Sequence, residues 1–336
     1  RGVAGGRRRR MKRPVPTLRP PKGRLADMDW LLLGALAASA IRATTPLLFA
    51  SLGGLFSERS GVVNIALEGI MIFGALGAAI TAYFVERPFL ANDPNAVVWF
   101  APWLGVLAAM VAGGFVGWIH AVVSIRYKAD QIISATAINL MAIGIPAVLL
   151  TGLFDNSSTS ARIQNRLPQW GIGGVEFSPL VYLAFLLVPT AWYVLYRTPF
   201  GLRLRSVGEH PEAADSVGID VRRMRYYGVV ISGVLAGLGG AFLSIGNFNQ
   251  FVSEMAGGRG FIALAALIFG KWTPFGALGA TLLFGTFEAI GTLLGGGNLL
   301  PPSLVQAVPF LLTMLVLAGF VGRAIPPGAV GKAFDK

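Results

Sequence analysis

The sequence predicts an all-α fold: a polytopic integral membrane bundle of about 10 helical segments, some of them short or discontinuous. Three observations predict it. Hydrophobic residues make up 54% of the chain and charged residues only 13%, far from the balance of a soluble domain. Several apolar runs reach the roughly 20 residues that a helix needs to cross about 30 Å of hydrocarbon. The short alternating segments of a transmembrane barrel are missing. The 44 glycines fit the same reading, because small residues let helix backbones approach closely in lipid.

In chain order, the first element is a basic tail, 1–28. Ten of the positive charges fall in Arg1–Arg24, where no acid occurs. The net charge of +12 is thus concentrated in the tail. The positive-inside rule and attraction to anionic lipid heads explain it, and no nucleic-acid partner is expected. A secretory signal is the alternative, with Ala38-Ser39-Ala40 as a cleavage-like site, but further membrane segments follow at once.

A transmembrane domain, 29–322, comes next. Its apolar stretches run 29–43, 45–56, 62–84, 97–123, 132–153, 178–196, 225–245, 260–270, 275–295 and 303–321. Two of them, 45–56 and 260–270, are too short to span, and each adjoins a proline break, at Pro46 and at Pro274. Interrupted segments of this kind occur along solute pathways, where unwound backbone faces a cavity. The basic stretches Arg126–Lys128 and Arg197–Arg225 are expected in the cytoplasm, and 85–96 and 154–177 outside. An inside N-terminus then requires 29–43 and 45–56 to cross separately, with Arg42 near the outer surface. A tail, 323–336, returns to the cytoplasm. Trp30, Trp99, Trp103, Trp192 and Trp272 stand near segment ends, as interfacial anchors do.

Few polar groups lie within the apolar runs. Asn64 and Glu68 are four apart in Val62–Phe84 and would share a helix face. A carboxylate at that depth is costly and faces either a cavity or a partner. The structural alternative has Asn64 capping the helix and Glu68 bonding a broken neighbour. Asn139 and Glu288 are further candidates. The cluster Asn247, Phe248, Asn249, Gln250 and Phe251 combines amides with aromatic faces that would suit a base or a sugar, or forms an ordinary interfacial loop. Two small-residue stripes, Ser232/Ala236/Gly240 and Gly233/Gly237/Ala241, predict close helix packing on more than one side.

No enzyme signature is present: HExxH, GxSxG and GxxxxGK[ST] are all missing. With no cysteine and only His120 and His210, neither a thiolate nor a histidine-rich metal site is expected.

The loop 197–225 carries a short helix signal. His210 stands as a cap, Pro211 at the first helical position, Glu212 in the first turn and Gly218 at the end. Glu212-Ala213-Ala214 followed by Gly218 resembles the EAA-type coupling loop of ABC transporter permeases. The segments FSERSGVVNIALEGIMIFGA, RYKADQIISATAINLMAIG, TPFGLRLRSVGEHPEAADSVGI and GRGFIALAALIFGKWTPFGALGA resemble the ABC permease family of simple-sugar, branched-chain amino acid and nucleoside importers. Among these, the nucleoside-type permeases are the most similar.

The resemblance implies a permease subunit that moves nucleosides across a bacterial inner membrane by alternating access, with both termini cytoplasmic. It implies no cofactor on this chain, since ATP and Mg would sit on a partner ATPase. Other implied partners are a second homologous permease, as a heterodimer, and a substrate-binding lipoprotein of the basic membrane protein type. The coupling residues would be Glu209, Pro211, Glu212, Ala213, Ala214 and Gly218, flanked by Arg203, Arg205, Arg222 and Arg223. Along the substrate path stand Asn64, Glu68, Asn139, Asn247, Phe248, Phe251 and Glu288. A ribose-like sugar or branched-chain amino acid permease is the alternative within the family. An ion-coupled secondary transporter is the alternative outside it.

Overall fold

A computed structural model describes residues 22–172, 175–296 and 324–334, with side chains from residue 33. The apolar stretch 303–321, most of the basic tail and the side chain of Trp30 lie outside the described residues. The helices are α1 (Lys22–Arg59), α2 (Leu67–Asn92), α3 (Ala101–Ala121), α4 (Gln131–Phe154), α5 (Pro179–Arg197), α6 (Pro199–Glu209), α7 (Pro211–Ser216), α8 (Val221–Ala241), α9 (Arg259–Phe269) and α10 (Pro274–Gly296). Seven of these helices are long and apolar enough to cross a membrane. A two-stranded hairpin, β1 (Trp170–Ile172) and β2 (Val175–Phe177), pairs Trp170 with Phe177 between α4 and α5. Turns of π-helix extend α3 through Val122–Arg126 and α8 through Phe242–Phe248.

The expected separate crossings 29–43 and 45–56 are one continuous helix. Pro46 lies inside α1 and removes only the bond to the carbonyl of Arg42. Nearby, the hydroxyls of Thr44 and Thr45 bond the carbonyls of Ala40 and Ile41 at 2.7 and 2.8 Å, and the helix continues through the proline. Five candidate spans therefore lie between the start of α1 and the loop 197–225, where the inside-tail reading needed an even number. The parity argument for a cytoplasmic N-terminal tail fails for that reason. Arg42 lies on the hairpin face: its guanidinium donates to the carbonyl of Glu176 at 2.9 Å and lies over the Phe177 ring.

The end of α8 that meets loop 197–225 defines one face, and the hairpin defines the other. On the hairpin face the buried Glu86, near the end of α2, accepts from the backbone of Gln164 and Asn165 at 2.8 and 2.9 Å and from the Asn165 amide at 3.1 Å. The Asn165 side chain in turn accepts from Val98 N–H at 2.9 Å. These contacts hold the loops 93–100 and 155–178 together.

At the centre stands α8, packed against α1, α2 and α3. The two small-residue stripes do what their spacing predicts. A methyl group at Gly74 of α2 would lie 2.6 Å from Gly237 Cα, and one at Gly117 of α3 would lie 3.0 Å from Gly233 Cα. On α1, a methyl at Gly53 would lie 2.7 Å from the Ser232 carbonyl. These are backbone-to-backbone seams, which larger side chains would wedge open. Gly237→Leu is expected to cost about 1–3 kcal/mol or more through overpacking. The check is thermal unfolding in detergent, beside a Leu substitution at Gly144, which has open space around it.

Candidate functional site

The loop 197–225 folds as a helix pair. Thr198 caps α6 through a bond from Gly201 N–H at 3.2 Å, and α7 follows after a single residue. Pro211 takes the first position of α7, as expected. His210 occupies the cap position without a side-chain bond, so its expected capping role does not hold: its backbone (φ −140°, ψ 84°) makes the turn. Gly218 has φ +84°. The bonds Ile219 N–H to Ala214 carbonyl (3.0 Å) and Gly218 N–H to Asp215 carbonyl (2.9 Å) close the helix end as a Schellman motif. Pro211 and Ala214 face inward, whereas Glu212, Ala213, Ser216, Val217 and Gly218 are exposed. Val217, an apolar side chain 75% exposed, belongs to this surface and was not singled out in the sequence.

Glu209, whose side chain is 48% exposed, also ties the helix pair to the rest of the chain. Its carboxylate lies 3.5 Å from the Arg59 guanidinium and accepts from Gly328 N–H at 3.0 Å. Arg59 also donates twice to the Trp272 carbonyl, at 3.0 and 2.7 Å, and Trp272 donates its indole N–H to Glu58. Trp272 is therefore buried and not an interfacial anchor. Lys271 and Trp272 both have positive φ, 52° and 51°, and form the left-handed turn from α9 into α10. Arg205 donates to the Leu195 carbonyl at 2.9 Å and stacks on Tyr196, while Arg203, Arg222 and Arg223 are exposed.

Within the membrane region a second polar group gathers on the break between α1 and α2. Because α2 begins at Leu67, Asn64 lies before the helix and shares no helical face with Glu68. Asn64 accepts from Ala66 N–H at 3.1 Å and donates to the Ser232 hydroxyl at 2.9 Å. Gln131 accepts from Val63 N–H at 2.7 Å, and a ring nitrogen of His120 lies 3.0 Å from the Val63 carbonyl. Asn139 accepts from Gly69 N–H at 2.9 Å and donates to the Ile65 carbonyl at 3.1 Å.

Glu68 reaches α9. Its two oxygens accept from Gly258 N–H at 2.7 Å and Gly260 N–H at 2.6 Å, capping the start of an 11-residue helix too short to span. The segment 260–270 is thus the half-helix its length predicts. Arg259, at the same helix start, pairs with Glu288 of α10. Both side chains of this pair are about a quarter exposed, 26% and 27%, roughly 20 Å of helical rise from the start of α10.

The model of the family described as branched-chain amino acid transport system, permease component, matches residues 36–317. The chain belongs to this family. Among curated relatives, the permease is similar to the guanosine ABC transporter permease protein NupQ of Bacillus subtilis. The two are 41% identical over 91% of this chain and 98% of NupQ. It is 38% identical to the nucleoside ABC transporter permease protein NupC of Lactococcus lactis, over 90% of this chain and 98% of that protein. A putative glucose ABC transporter permease protein of Haloferax volcanii, TsgC13, is 33% identical over 86% and 92% of the two chains. No solved structure matches.

The cluster 247–251 of the permease divides. Phe251 is fully buried and Asn249 nearly so, because the segment around them is bonded to the hairpin-face loop: Phe251 exchanges bonds with Ser160, and Ile163 N–H donates to the Asn249 carbonyl at 2.8 Å. Asn247 and Phe248 are exposed. Of the path candidates, Asn64, Glu68 and Phe251 are thus buried in internal bonds or packing. Asn139, Glu288, Asn247 and Phe248 keep some exposure. Sequence reasoning missed Arg259, although a lone arginine inside an apolar run after Gly257-Gly258 is the kind of intramembrane charge that demands a partner.

Replacing Glu68 leaves two backbone N–H groups unpaired at the start of α9. Glu68→Ala is expected to cost about 1–3 kcal/mol for the unsatisfied donors. It should also speed hydrogen exchange at Gly258–Ile262, while exchange at the α8 centre stays unchanged.

Proposed function

We propose that this permease carries nucleosides inward across a bacterial inner membrane, as one half of the channel of an ATP-driven importer. The observation that supports this best is similarity over nearly the whole length to NupQ and NupC, whose names specify guanosine and nucleosides. The less similar TsgC13 supports a simple sugar as the second reading.

Loop 197–225 then faces the cytoplasm, as do the described C-terminal residues bonded to it. The exposed side of α7, with Glu212, Ala213, Val217 and Gly218, meets a groove on a separate ATPase, which supplies ATP and Mg. Pro211 and Ala214 seat the helix from within, and Glu209 ties it to Arg59. A second, homologous permease chain covers exposed apolar side chains of α4, among them Leu140, Ile143 and Val148, and a lipoprotein of the basic membrane protein type delivers solute outside. The path runs beside the first turn of α2, between Asn139 on one side and Arg259 with Glu288 on the other. An ion pair about a quarter exposed at that depth is costly against lipid and fits a watered passage.

Uptake of labelled guanosine, ribose and leucine into vesicles holding the full assembly tests the substrate. Guanosine is expected to accumulate with ATP and to be displaced by other nucleosides; uptake of ribose or leucine alone overturns the assignment. The double substitution Glu212→Ala with Gly218→Val tests coupling. It should abolish most ATPase association and uptake, measured by co-purification and transport, and normal values for both contradict the docking role.

A further inference from the structure

Residues 324–334 run along the coupling-loop face in an irregular path. They are bonded at four points. Gly328 N–H donates to the Glu209 carboxylate at 3.0 Å, and Ala329 N–H to the Gly208 carbonyl at 2.9 Å. Gly331 N–H donates to the Gly61 carbonyl at 3.2 Å, and the Lys332 carbonyl accepts from Arg225 at 2.9 Å. Phe334 then enters an apolar cluster with Val207, Ala214 and Val221, beneath the inward side of α7.

Arg225 is the least ordinary member of this group. It is 2% exposed, and its Nε and Nη2 atoms have no partner among the described residues. Its guanidinium packs on Gly61: a methyl group there would lie 3.1 Å from Nη2 and 3.4 Å from the Ala329 carbonyl. A cation held this deep at a helix start is retained at a cost in desolvation. Its contacts join α8, the C-terminal segment and Gly61 in the α1–α2 break.

We propose that segment 324–334 is a positioning strap for α7, with Arg225 as its positioning residue. It fixes the coupling helix to the Gly61–Ala66 break and so passes displacement of α7 to the membrane-embedded polar network. The inference rests on the reading of loop 197–225 as the ATPase-docking element. It needs the strap, Gly208–Glu209 and Gly61 to move together, and the bonds above provide that.

The test uses the complete importer in proteoliposomes and reads nucleoside uptake per ATP hydrolysed. Arg225→Ala and Phe334→Ala should keep the ATPase bound and hydrolysing, while uptake per ATP falls about tenfold, on the scale of a coupling between sites. Arg225→Lys should recover part of the loss. Phe334→Ala carries the test where Arg225→Ala does not assemble. Unchanged uptake per ATP in Phe334→Ala overturns the strap, as does a loss of uptake that only follows a loss of assembled complex. Normal ATPase association in the Glu212 and Gly218 double variant instead overturns the docking reading, whatever the strap variants do.

Discussion

Every peptide group taken out of a helix inside a membrane must find a partner within the chain, because lipid offers none. The permease breaks its helices at the two ends of one polar network and satisfies both breaks with side chains. Between α1 and α2, Ser57 donates to the Val62 carbonyl at 2.8 Å, and Gln131, His120, Asn64 and Asn139 take most of the groups that follow. Before α9, one carboxylate takes two N–H groups. The first turn of α2 lies between these breaks, so Glu68 and Gly69 join α4, α9 and the crossover in a single hydrogen-bonded unit. Removing any member leaves a backbone donor or acceptor without its partner.

Much of this arrangement was legible in the sequence. For α3, α4, α5, α8 and α10 the run lengths set the bounds to within a few residues, and the short segment 260–270 announced a half-helix. The spacing of small residues at Ser232–Ala241 announced the most heavily packed helix. Asn64, Glu68 and Asn139 stood out because polar groups in apolar runs are rare; the structural alternative describes the bonds of Glu68 to α9, whereas Asn64 bonds Ala66 and Ser232 ahead of α2 without capping it. The helix-ending role of Gly218 followed from backbone sterics alone.

What escaped was whatever depends on distant partners. Pro46 reads as a break, yet α1 runs through it as one helix. Trp272 reads as an interfacial residue, but the left-handed turn at Lys271 aims it at Glu58. His210 has a cap position without a cap bond because the backbone geometry suffices. The ion pair of Arg259 and Glu288 joins residues 29 positions apart, and the bonds of Glu68 reach across 190. No local pattern encodes such pairings; they arise only once the half-helix has been folded back onto α2.

The seams around α8 also determine where the molecule can yield. Backbones in contact through glycine have no flexible side chains to rearrange between them, so sliding there would bring main-chain atoms into collision. The helices α1, α2, α3 and α8 therefore behave as a stiff block. Helices α4, α5 and α10, the least buried of the candidate spans, are left as the compliant wall. A passage that opens and shuts beside this block does so by shifting that wall, with the block as its fixed frame.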